Sequence, residues 1–153
     1  MLLIKEITFQ EAIVVRHPVL RQGKPIESCF FAGDDLFSTK HFGIFENEKL
    51  IGVCSLFEQS QASFSEKTQM QLRGMAVLES HQKMGLGEKL LSHCETFLKK
   101  EKIALLWFNA RSNAITFYEK QGYQKSGNSF EILDIGTHFV MYKKIQLWNI
   151  FSY

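Results

Sequence analysis

Gly85 and Gly87 stand one residue apart at the start of a helix-like stretch, HQKMGLGEKLLSHCETFLKK, which covers residues 81–100. The first amides of a helix have no partner within it, and the helix dipole adds about half a positive charge there. Because glycine has no Cβ, an anion can come close to these amides. Charged hydrogen bonds of about 1.5–3 kcal/mol each would offset a helix cost of about 1 kcal/mol for each glycine. The pattern predicts a phosphate site, with a plain flexible loop as the alternative.

The glycine spacing excludes two common nucleotide-binding loops. The NTPase pattern GxxxxGK(S/T) does not occur here, and the dinucleotide pattern GxGxxG fails because Leu90 takes the place of the third glycine. The glycines also follow several strand-like segments instead of opening a strand–helix–strand unit. The two glycines alone do not identify a ligand, and a plain flexible loop between strand and helix stays open as the alternative.

The segments around the glycines indicate which elements position them. After His81, an apolar stripe predicts one helix face, formed by Leu90, Leu91, Cys94, Phe97 and Leu98. Residues 103–108, IALLWF, are typical of a strand covered on both faces. Residues 112–121 predict a second amphipathic helix with Gly122 as its stop signal, and strands follow from residue 123 towards 132 and over 138–143.

The first half of the chain predicts a strand, a helix and a meander. Residues 3–7 form the strand, and the capping-box pattern TFQE predicts a helix that begins after Thr8, contains residues 12–15 and ends at Pro18. Residues 18–40 are expected to be irregular, with room for a short helix. Residues 41–46 and 50–57 predict a hairpin that turns at Asn47 and Glu48, and residues 67–77 predict a third strand. A right-handed crossover would make the fourth and fifth strands parallel neighbours.

The composition is that of one ordinary globular domain, which we expect to span residues 1–153. The chain is 45% hydrophobic and 22% charged, and its formal net charge of +2 is too small to favour nucleic acid or an acidic membrane. The cysteines, Cys29, Cys54 and Cys94, have no CxxC spacing, which argues against a disulfide framework or a structural zinc site. We expect Cys29 to be buried. The absence of a signal-peptide pattern or an apolar run of roughly 18 residues favours a cytoplasmic location.

Two ordered motifs resemble those of the GNAT superfamily of N-acetyltransferases. QKMGLG, residues 82–87, is similar to the family's coenzyme A pyrophosphate motif, (Q/R)xxGx(G/A). LWFNARSNAITFYEKQGY, residues 106–123, resembles the family's fifth strand, its asparagine and its following helix. The resemblance covers residues 73–144, and LIGVCSLF, residues 50–57, is similar to the third strand. The first 40 residues match poorly, although RHPVLRQGKPIES resembles uncharacterised stand-alone members of the superfamily.

The resemblance implies an α/β (α+β) fold of the GNAT type and acetyl-CoA as cofactor. Its central sheet would be mixed and mostly antiparallel, with about six or seven strands, flanked by helices and splayed at strands four and five. The pantetheine arm would lie in that gap along the backbone of residues 75–77, and amides of residues 82–88 would hold the pyrophosphate. The cofactor-binding positions implied are Met75, Ala76, Val77, Gln82, Lys83, Met84, Gly85, Leu86, Gly87, Glu88, Asn109, Asn113 and Phe117.

Acetyl transfer to an amine requires a neutral amine, a donor for the oxyanion and a proton for the departing thiolate. Tyr118 resembles the family tyrosine that protonates the coenzyme A sulfur, and a half-buried structural aromatic is the alternative. Lys83 is either a phosphate contact or a solvated lysine. Asn113 binds the cofactor or caps the helix beside Ser112. Phe117 has a core role as its alternative.

The general base is where this sequence departs from the family pattern. Many relatives carry a glutamate on the fourth strand, whereas this strand has Gln69, Gln71 and Arg73. His138 is the catalytic candidate, and it could also be structural. Further candidates are Asp34, Asp35, His41 and Glu131, or the amine loses its proton before binding. Arg73 could orient an acidic acceptor or pair with a local carboxylate.

The leading hypothesis is an acetyl-CoA-dependent N-acetyltransferase that acts on a primary amine of a small molecule or an amino-acid-like acceptor. A protein or peptide amine is a weaker option. Two further hypotheses are a coenzyme A-binding module or sensor without catalysis, and an interaction domain that binds no nucleotide. The aromatic tail IQLWNIFSY, residues 145–153, suggests the last, since it could cover a sheet edge or form a homodimer contact.

Overall fold

The computed structural model describes residues 1–146. The aromatic tail, whose two expected roles were edge cover and subunit contact, falls from residue 147 onward outside these residues, so both roles stay predictions, as does the single domain over residues 1–153. The described strands are β1 Leu2–Ile7, β2 Lys40–Glu46, β3 Lys49–Glu58, β4 Gln69–Val77, β5 Leu105–Arg111, β6 Gln124–Ile132 and β7 Gly136–Lys144. The described α-helices are α1 Phe9–Leu20, α2 Leu86–Lys100 and α3 Ile115–Lys120, and short 3-10 helices cover Ile26–Cys29, Glu79–His81 and Ser112–Ala114.

The strands form a mixed sheet in the order β1-β2-β3-β4-β5-β7-β6. The pairs β1–β2, β2–β3, β5–β7 and β6–β7 are antiparallel, whereas β4 and β5 are parallel, with Gln69–Gln71 opposite Leu105–Trp107. The predicted fold class and the parallel neighbours are therefore confirmed. The parallel pairing covers three residues of each strand in the described chain, although β4 is nine residues long.

The chain groups into two compact units, of which the first contains residues 1–58 and 72–96. In this unit the hairpin of β2 and β3 turns at Asn47 and Glu48, which both have positive φ (47° and 74°), as the sequence predicts. Helix α1 packs on the side of β3 that carries Val53. Cys54, the next residue, contacts Cys94 of α2 at 3.4 Å between the sulfur atoms. Because successive strand residues point to opposite faces, the two helices cover opposite faces of these strands.

Helix α1 begins as predicted and ends later than predicted. Thr8 and Glu11 form the complete capping box, with the Glu11 amide donating to Thr8 Oγ1 at 3.1 Å. The helix then continues past Pro18 to Leu20, so the prediction that Pro18 ends it is wrong. Proline cannot donate to the carbonyl of Val14, but Val14 is 66% exposed, so water can satisfy this side of the helix. Arg16, for which the sequence pattern gave no core role, is fully buried.

The second unit contains residues 59–71 and the chain from residue 97 onward. Strand β5 is buried on both faces over residues 105–108, as the apolar run predicts. The segment before β4 is held by Gln69, whose side chain accepts from the Gln61 amide at 2.8 Å and donates to the Glu66 carbonyl at 2.8 Å. Gly122 has φ +93° and ends α3, which confirms it as the stop signal.

Candidate functional site

The loop that leads into α2 presents the amides that the glycine pattern predicted. Gly85 has φ +78°, and a Cβ built on it would meet no atom within 4 Å. Lys83 also has positive φ, +62°, so the chain turns sharply twice before the helix starts at Leu86. The Lys89 amide donates to the Gly85 carbonyl at 3.1 Å, which closes the first turn. The amides before Lys89 are therefore at the open end of a helix that is 15 residues long, with room for an anion.

Gln82 behaves differently from the other residues of this loop. Its backbone amide donates to the Glu79 carbonyl at 3.3 Å, so this amide is engaged within the protein. Its side chain donates to the Val77 carbonyl at 2.9 Å, which ties the loop to the end of β4. The expectation that amides from residue 82 onward hold a phosphate therefore fits from Lys83 to Glu88, and Gln82 positions the loop.

The end of β4 lies beside this loop in the first unit. Ala76 is buried, while Met75 and Val77 are half-buried. The Val77 carbonyl already accepts from Gln82, so Met75 and Ala76 are left as the better candidates for main-chain contacts to a ligand. A Cβ on Gly52 of β3 would lie 2.9 Å from Ile44 Cγ2 of β2, which is too close, and 3.4 Å from the Ala76 carbonyl oxygen, which is an ordinary contact.

In the second unit, the predicted site residues follow β5. Asn109 is exposed although its neighbours Phe108 and Ala110 are each only 3% exposed. Asn113 is also exposed, and neither the 3-10 helix Ser112–Ala114 nor α3 has a side-chain cap, so the capping alternative for Asn113 is wrong. Both amides are consequently available to a ligand.

Tyr118 is half-buried on α3 within a cluster of rings. Its ring centroid lies 4.4 Å from that of Phe108, 5.0 Å from that of Phe117 and 6.2 Å from that of Tyr123. Phe117 is 40% exposed, so the core alternative for this residue is wrong, and it shields one edge of Tyr118. The contacts hold the Tyr118 ring in a fixed orientation.

The candidates for a general base divide into engaged and available groups. Asp34 accepts from Arg16 with both carboxylate oxygens, at 2.7 and 3.0 Å, and is therefore committed to the fold. Both ring nitrogens of His41 are hydrogen-bonded, to Ser55 Oγ at 2.6 Å and to the Asp34 carbonyl at 2.9 Å, and burial lowers the pKa of His41. These two residues are poor bases. Asp35 is exposed.

His138 and Glu131 come from the two antiparallel strands at the end of the chain. His138 Nδ1 lies 2.7 Å from the Gly136 carbonyl oxygen, to which it must donate, so in the neutral ring Nε2 carries the lone pair. The ring is only 5% exposed and lies 5.9 Å from the Phe130 ring, between centroids. Glu131 is exposed and accepts from Thr137 Oγ1 at 2.5 Å. His138 is thus an oriented acceptor of a proton.

The sequence did not predict the buried polar cluster that α1 and the following segment form around Arg16. Arg16 joins Asp34, the Cys29 carbonyl and Ser55 Oγ through bonds of 2.7–3.0 Å. Its only sequence signal is a charged residue in the middle of an apolar helix segment. Cys29 itself is buried, as predicted.

No helix among residues 1–146 is both long and apolar enough to cross a membrane.

Comparisons with known proteins agree with this geometry. The N-acetyltransferase YitI of Bacillus subtilis strain 168, an uncharacterized protein by name, is 35% identical to this chain over 146 residues, which is 95% of this chain and 98% of the relative. A ribosomal-protein alanine N-acetyltransferase from Escherichia coli has the same fold, with a TM-score of 0.76, 21% identity and coverage of 100% and 99% of the two chains.

An aminoglycoside 6′-N-acetyltransferase solved with coenzyme A also shares the fold, with a TM-score of 0.76, 13% identity and coverage of 96% of this chain and 99% of that one. The family model for the acetyltransferase (GNAT) family matches residues 9–123. This family uses acetyl-CoA, and the open amides before α2 fit its phosphates. The chain belongs to the acetyltransferase (GNAT) family.

Proposed function

We propose that this protein transfers the acetyl group of acetyl-CoA to a primary amine of a small molecule or an amino-acid-like acceptor. The observation that carries the proposal is the open start of α2. There the positive φ of Gly85 and the empty space around it leave helix amides free for the cofactor's phosphates. Family membership supports acetyl transfer in general, and the acceptor class is our inference.

The first unit contributes the cofactor-binding backbone in this proposal. The amides from Lys83 to Glu88 hold the pyrophosphate, because the helix dipole and several charged hydrogen bonds act on it together. Gln82 keeps the loop in place through Val77. Met75 and Ala76 offer main-chain groups to the pantetheine arm, which is an extended chain with its own amides.

The second unit contributes the side-chain chemistry. Acetyl-CoA supplies a thioester, whose sulfur must take up a proton as the amine takes the acetyl group. Tyr118 donates that proton, and the rings of Phe108 and Phe117 hold the phenol in its orientation. Asn109 and Asn113 are exposed amides that bind polar groups of the cofactor. His138 accepts a proton from the amine, since its Nδ1 is occupied and its Nε2 is not protonated in the neutral ring.

A coenzyme A-binding module without catalysis is the second candidate. This candidate is favoured because β4 has no carboxylate that could act as the general base. The strand has Gln69, Gln71 and Arg73 instead. Glu66, which precedes β4, forms an ion pair with Lys144 Nζ at 3.8 Å. Steady-state release of free thiol from acetyl-CoA across a panel of amines separates the two candidates, because only an enzyme releases it in proportion to time.

Binding of the cofactor is tested first by thermal denaturation. A ligand that binds only the folded state stabilises it by about 2.7 kcal/mol at a hundredfold excess over Kd. Since 1 kcal/mol moves Tm by roughly 2–4 °C for a domain of this size, saturating acetyl-CoA should raise Tm by roughly 5–10 °C. Coenzyme A should act nearly as strongly because it shares the pyrophosphate and the pantetheine arm.

NAD and ATP are the controls, because they carry phosphates and lack the pantetheine arm. We expect each to shift Tm much less than acetyl-CoA does. An equal shift with NAD or ATP would mean that the loop before α2 is a generic phosphate site. No shift with any of these ligands would contradict cofactor binding and favour an interaction domain.

The Gly87→Val variant tests the loop directly. A valine side chain at the second residue of α2 should intrude on the bound pyrophosphate, so we expect coenzyme A affinity to fall at least about tenfold, which is about 1.4 kcal/mol. Calorimetric titration measures this loss. Ser92→Val is the matched control, because Ser92 is an exposed residue of the same helix, and it should leave affinity unchanged. Equal affinity of the Gly87 variant and the wild type would remove the proposed role of the loop.

A further inference from the structure

Three arginine side chains of the first unit surround one aromatic ring, that of Phe31. The guanidinium carbons of Arg16, Arg73 and Arg21 lie 4.1, 4.7 and 5.9 Å from the ring centroid. A cation over an aromatic face is attracted by the ring's quadrupole, by about 0.5–2 kcal/mol depending on solvent exposure. The same arrangement brings three positive charges close to each other. We call these four residues the Phe31 cluster.

Among residues 1–146, the ion pairs of this cluster supply less negative charge than the cluster carries positive charge. Asp34 is the carboxylate that neighbours it, and both of its oxygens are taken by Arg16, with the Phe31 amide as a further donor at 2.7 Å. Three guanidinium groups against one carboxylate leave two unbalanced positive charges. His41 Nε2 lies 3.9 Å from Asp34 Oδ1, and a histidine cannot supply the missing negative charge.

Arg73 is the member of the cluster best placed to meet a ligand. It is half-buried on β4, and its guanidinium also lies 5.2 Å from the centroid of Phe57. Among residues 1–146, no carboxylate oxygen lies within ion-pair distance of Arg73, although the charge of Asp34 acts on it from further away. Burial lowers the pKa of Arg73; the negative charge of Asp34 opposes this shift, and the positive charges of Arg16 and Arg21 add to it.

Two further features, one within the Phe31 cluster and one next to it, point to an anionic ligand. Arg16 Nε is fully buried and has no hydrogen-bond acceptor within the described chain. Gly74, which follows Arg73, has φ +67°, and a Cβ there would lie 3.2 Å from Arg16 Nε and 3.1 Å from Phe31 Cε2. A buried donor without an acceptor costs about 1–3 kcal/mol, and the glycine keeps the space next to it free of side-chain atoms.

We propose that Arg73, supported by the Phe31 cluster, binds a carboxylate of the amine acceptor. The Arg73 guanidinium lies within 5.2 Å of the centroids of both Phe31 and Phe57, and its planar N–H groups match the two oxygens of a carboxylate. The negative charge of the ligand compensates the surplus positive charge of Arg16, Arg21 and Arg73. Arg73 also lies two residues before Met75, the residue assigned to the pantetheine backbone contacts. The acceptor class is therefore a primary amine that also carries a carboxylate, and this assignment of the amine rests on the proposed function.

Binding without turnover is the first test. The wild type and Arg73→Gln are heated, with saturating coenzyme A, in the presence of matched pairs of N-acetylated amino acids and their carboxamides, and of benzoate and benzamide. At a tenfold excess over Kd, a bound carboxylate should raise the Tm of the wild type by about 3–6 °C, and its carboxamide should have little effect. Arg73→Gln should lose this difference, and Arg73→Lys should keep part of it.

Lys5→Gln is the matched control, because Lys5 Nζ lies 4.7 Å from the centroid of Phe45, the same distance that separates Arg73 from Phe31. Within the described residues, Lys5 is the one cation over the Phe45 ring. This variant should respond to carboxylates as the wild type does. If carboxylates and carboxamides shift the wild-type Tm equally, or if Arg73→Gln keeps the carboxylate response, the proposal is overturned.

Turnover separates this proposal from the proposed function. With acceptor pairs that differ only in carboxylate or carboxamide, Arg73→Gln should lower kcat/KM by about 10- to 100-fold for the carboxylates, mainly through KM, and leave the carboxamides unchanged. Acetylation of carboxamides at the same kcat/KM as carboxylates would refute the carboxylate site while leaving an N-acetyltransferase. Release of no thiol with any amine, together with the Tm response to carboxylates, would refute the enzyme and leave the anion site.

Discussion

Replacement of Tyr118 by phenylalanine should lower kcat by about 10²–10⁴-fold while coenzyme A affinity stays nearly intact. The ring and its contacts with Phe108 and Phe117 are kept, and the phenolic hydroxyl, with its proton, is lost. If Tyr118 protonates the departing sulfur, the variant must release a thiolate without a proton donor, so the cost falls on the chemical step. Steady-state thiol release measures kcat, and calorimetric titration measures affinity.

Tyr123→Phe is the matched control for this prediction. Tyr123 belongs to the same group of rings, with its centroid 5.1 Å from that of Phe108, but it is only 2% exposed. Its variant should keep kcat within a few-fold of the wild type. A Tyr118→Phe enzyme that keeps its kcat and loses affinity would show that the residue packs against the cofactor and donates no proton.

Asp34→Asn should lower the free energy of unfolding by about 3–5 kcal/mol, because it leaves Arg16 as a buried, uncompensated cation. Arg16 is 0% exposed, and both of its terminal nitrogens bond to Asp34. For a domain of this size, such a loss corresponds to a fall in Tm of roughly 6–20 °C. Thermal denaturation followed by circular dichroism measures it.

Asp35→Asn is the control, since Asp35 is the next residue, carries the same charge and is exposed. Its Tm should remain close to that of the wild type. The double variant Arg16→Met with Asp34→Leu should recover much of the loss, because a buried ion pair can be replaced by apolar side chains at little cost. A fall in Tm below about 2 °C for Asp34→Asn would show that solvent reaches Arg16 and that the pair contributes little.

The predictable parts of the fold depend on local patterns. The capping box of Thr8 and Glu11, the two-residue turn at Asn47 and Glu48, and the stop at Gly122 each require a specific backbone geometry that few residues provide. The apolar stripe on α2 has the period of a helix, and the continuous apolar run of β5 is typical of a strand that is buried on both faces. Each pattern therefore indicates burial directly. Together with the other strand-like segments of the sequence, these features predicted the seven strands and the α-helices of residues 1–146, with ends shifted by up to a few residues.

The features that sequence analysis missed depend on contacts between distant residues. Pro18 is tolerated because it lies in the last turn of α1, next to a solvent-facing side that local rules do not reveal. Arg16 is buried because Asp34, 18 residues later, neutralises it. The exposure of the Asn113 and Phe117 side chains likewise follows from the packing of α3 against β5. No spacing rule in the sequence describes this packing.

The candidate site divides in the same way. The Gly85 loop was predictable because its amides need no side-chain partners, only a turn and a helix. The base was not predictable, because hydrogen bonds formed across the fold decide which carboxylates and imidazoles are engaged. His41 and Asp34 are examples of polar residues that look reactive in the sequence and are committed in the structure.

The cysteines of the first unit have a practical consequence for studies of this protein. Cys29, Cys54 and Cys94 are each 0% exposed, and the hydrogen bond with Cys54 together with burial raises the pKa of Cys94 well above its usual range. Since the thiolate is the reactive form, a folded molecule offers almost nothing to a thiol reagent. The native protein therefore contributes little background when the thiol of coenzyme A is quantified with a colorimetric reagent. The slow labelling of the protein's own cysteines reports the opening of this unit, and no engineered probe is needed.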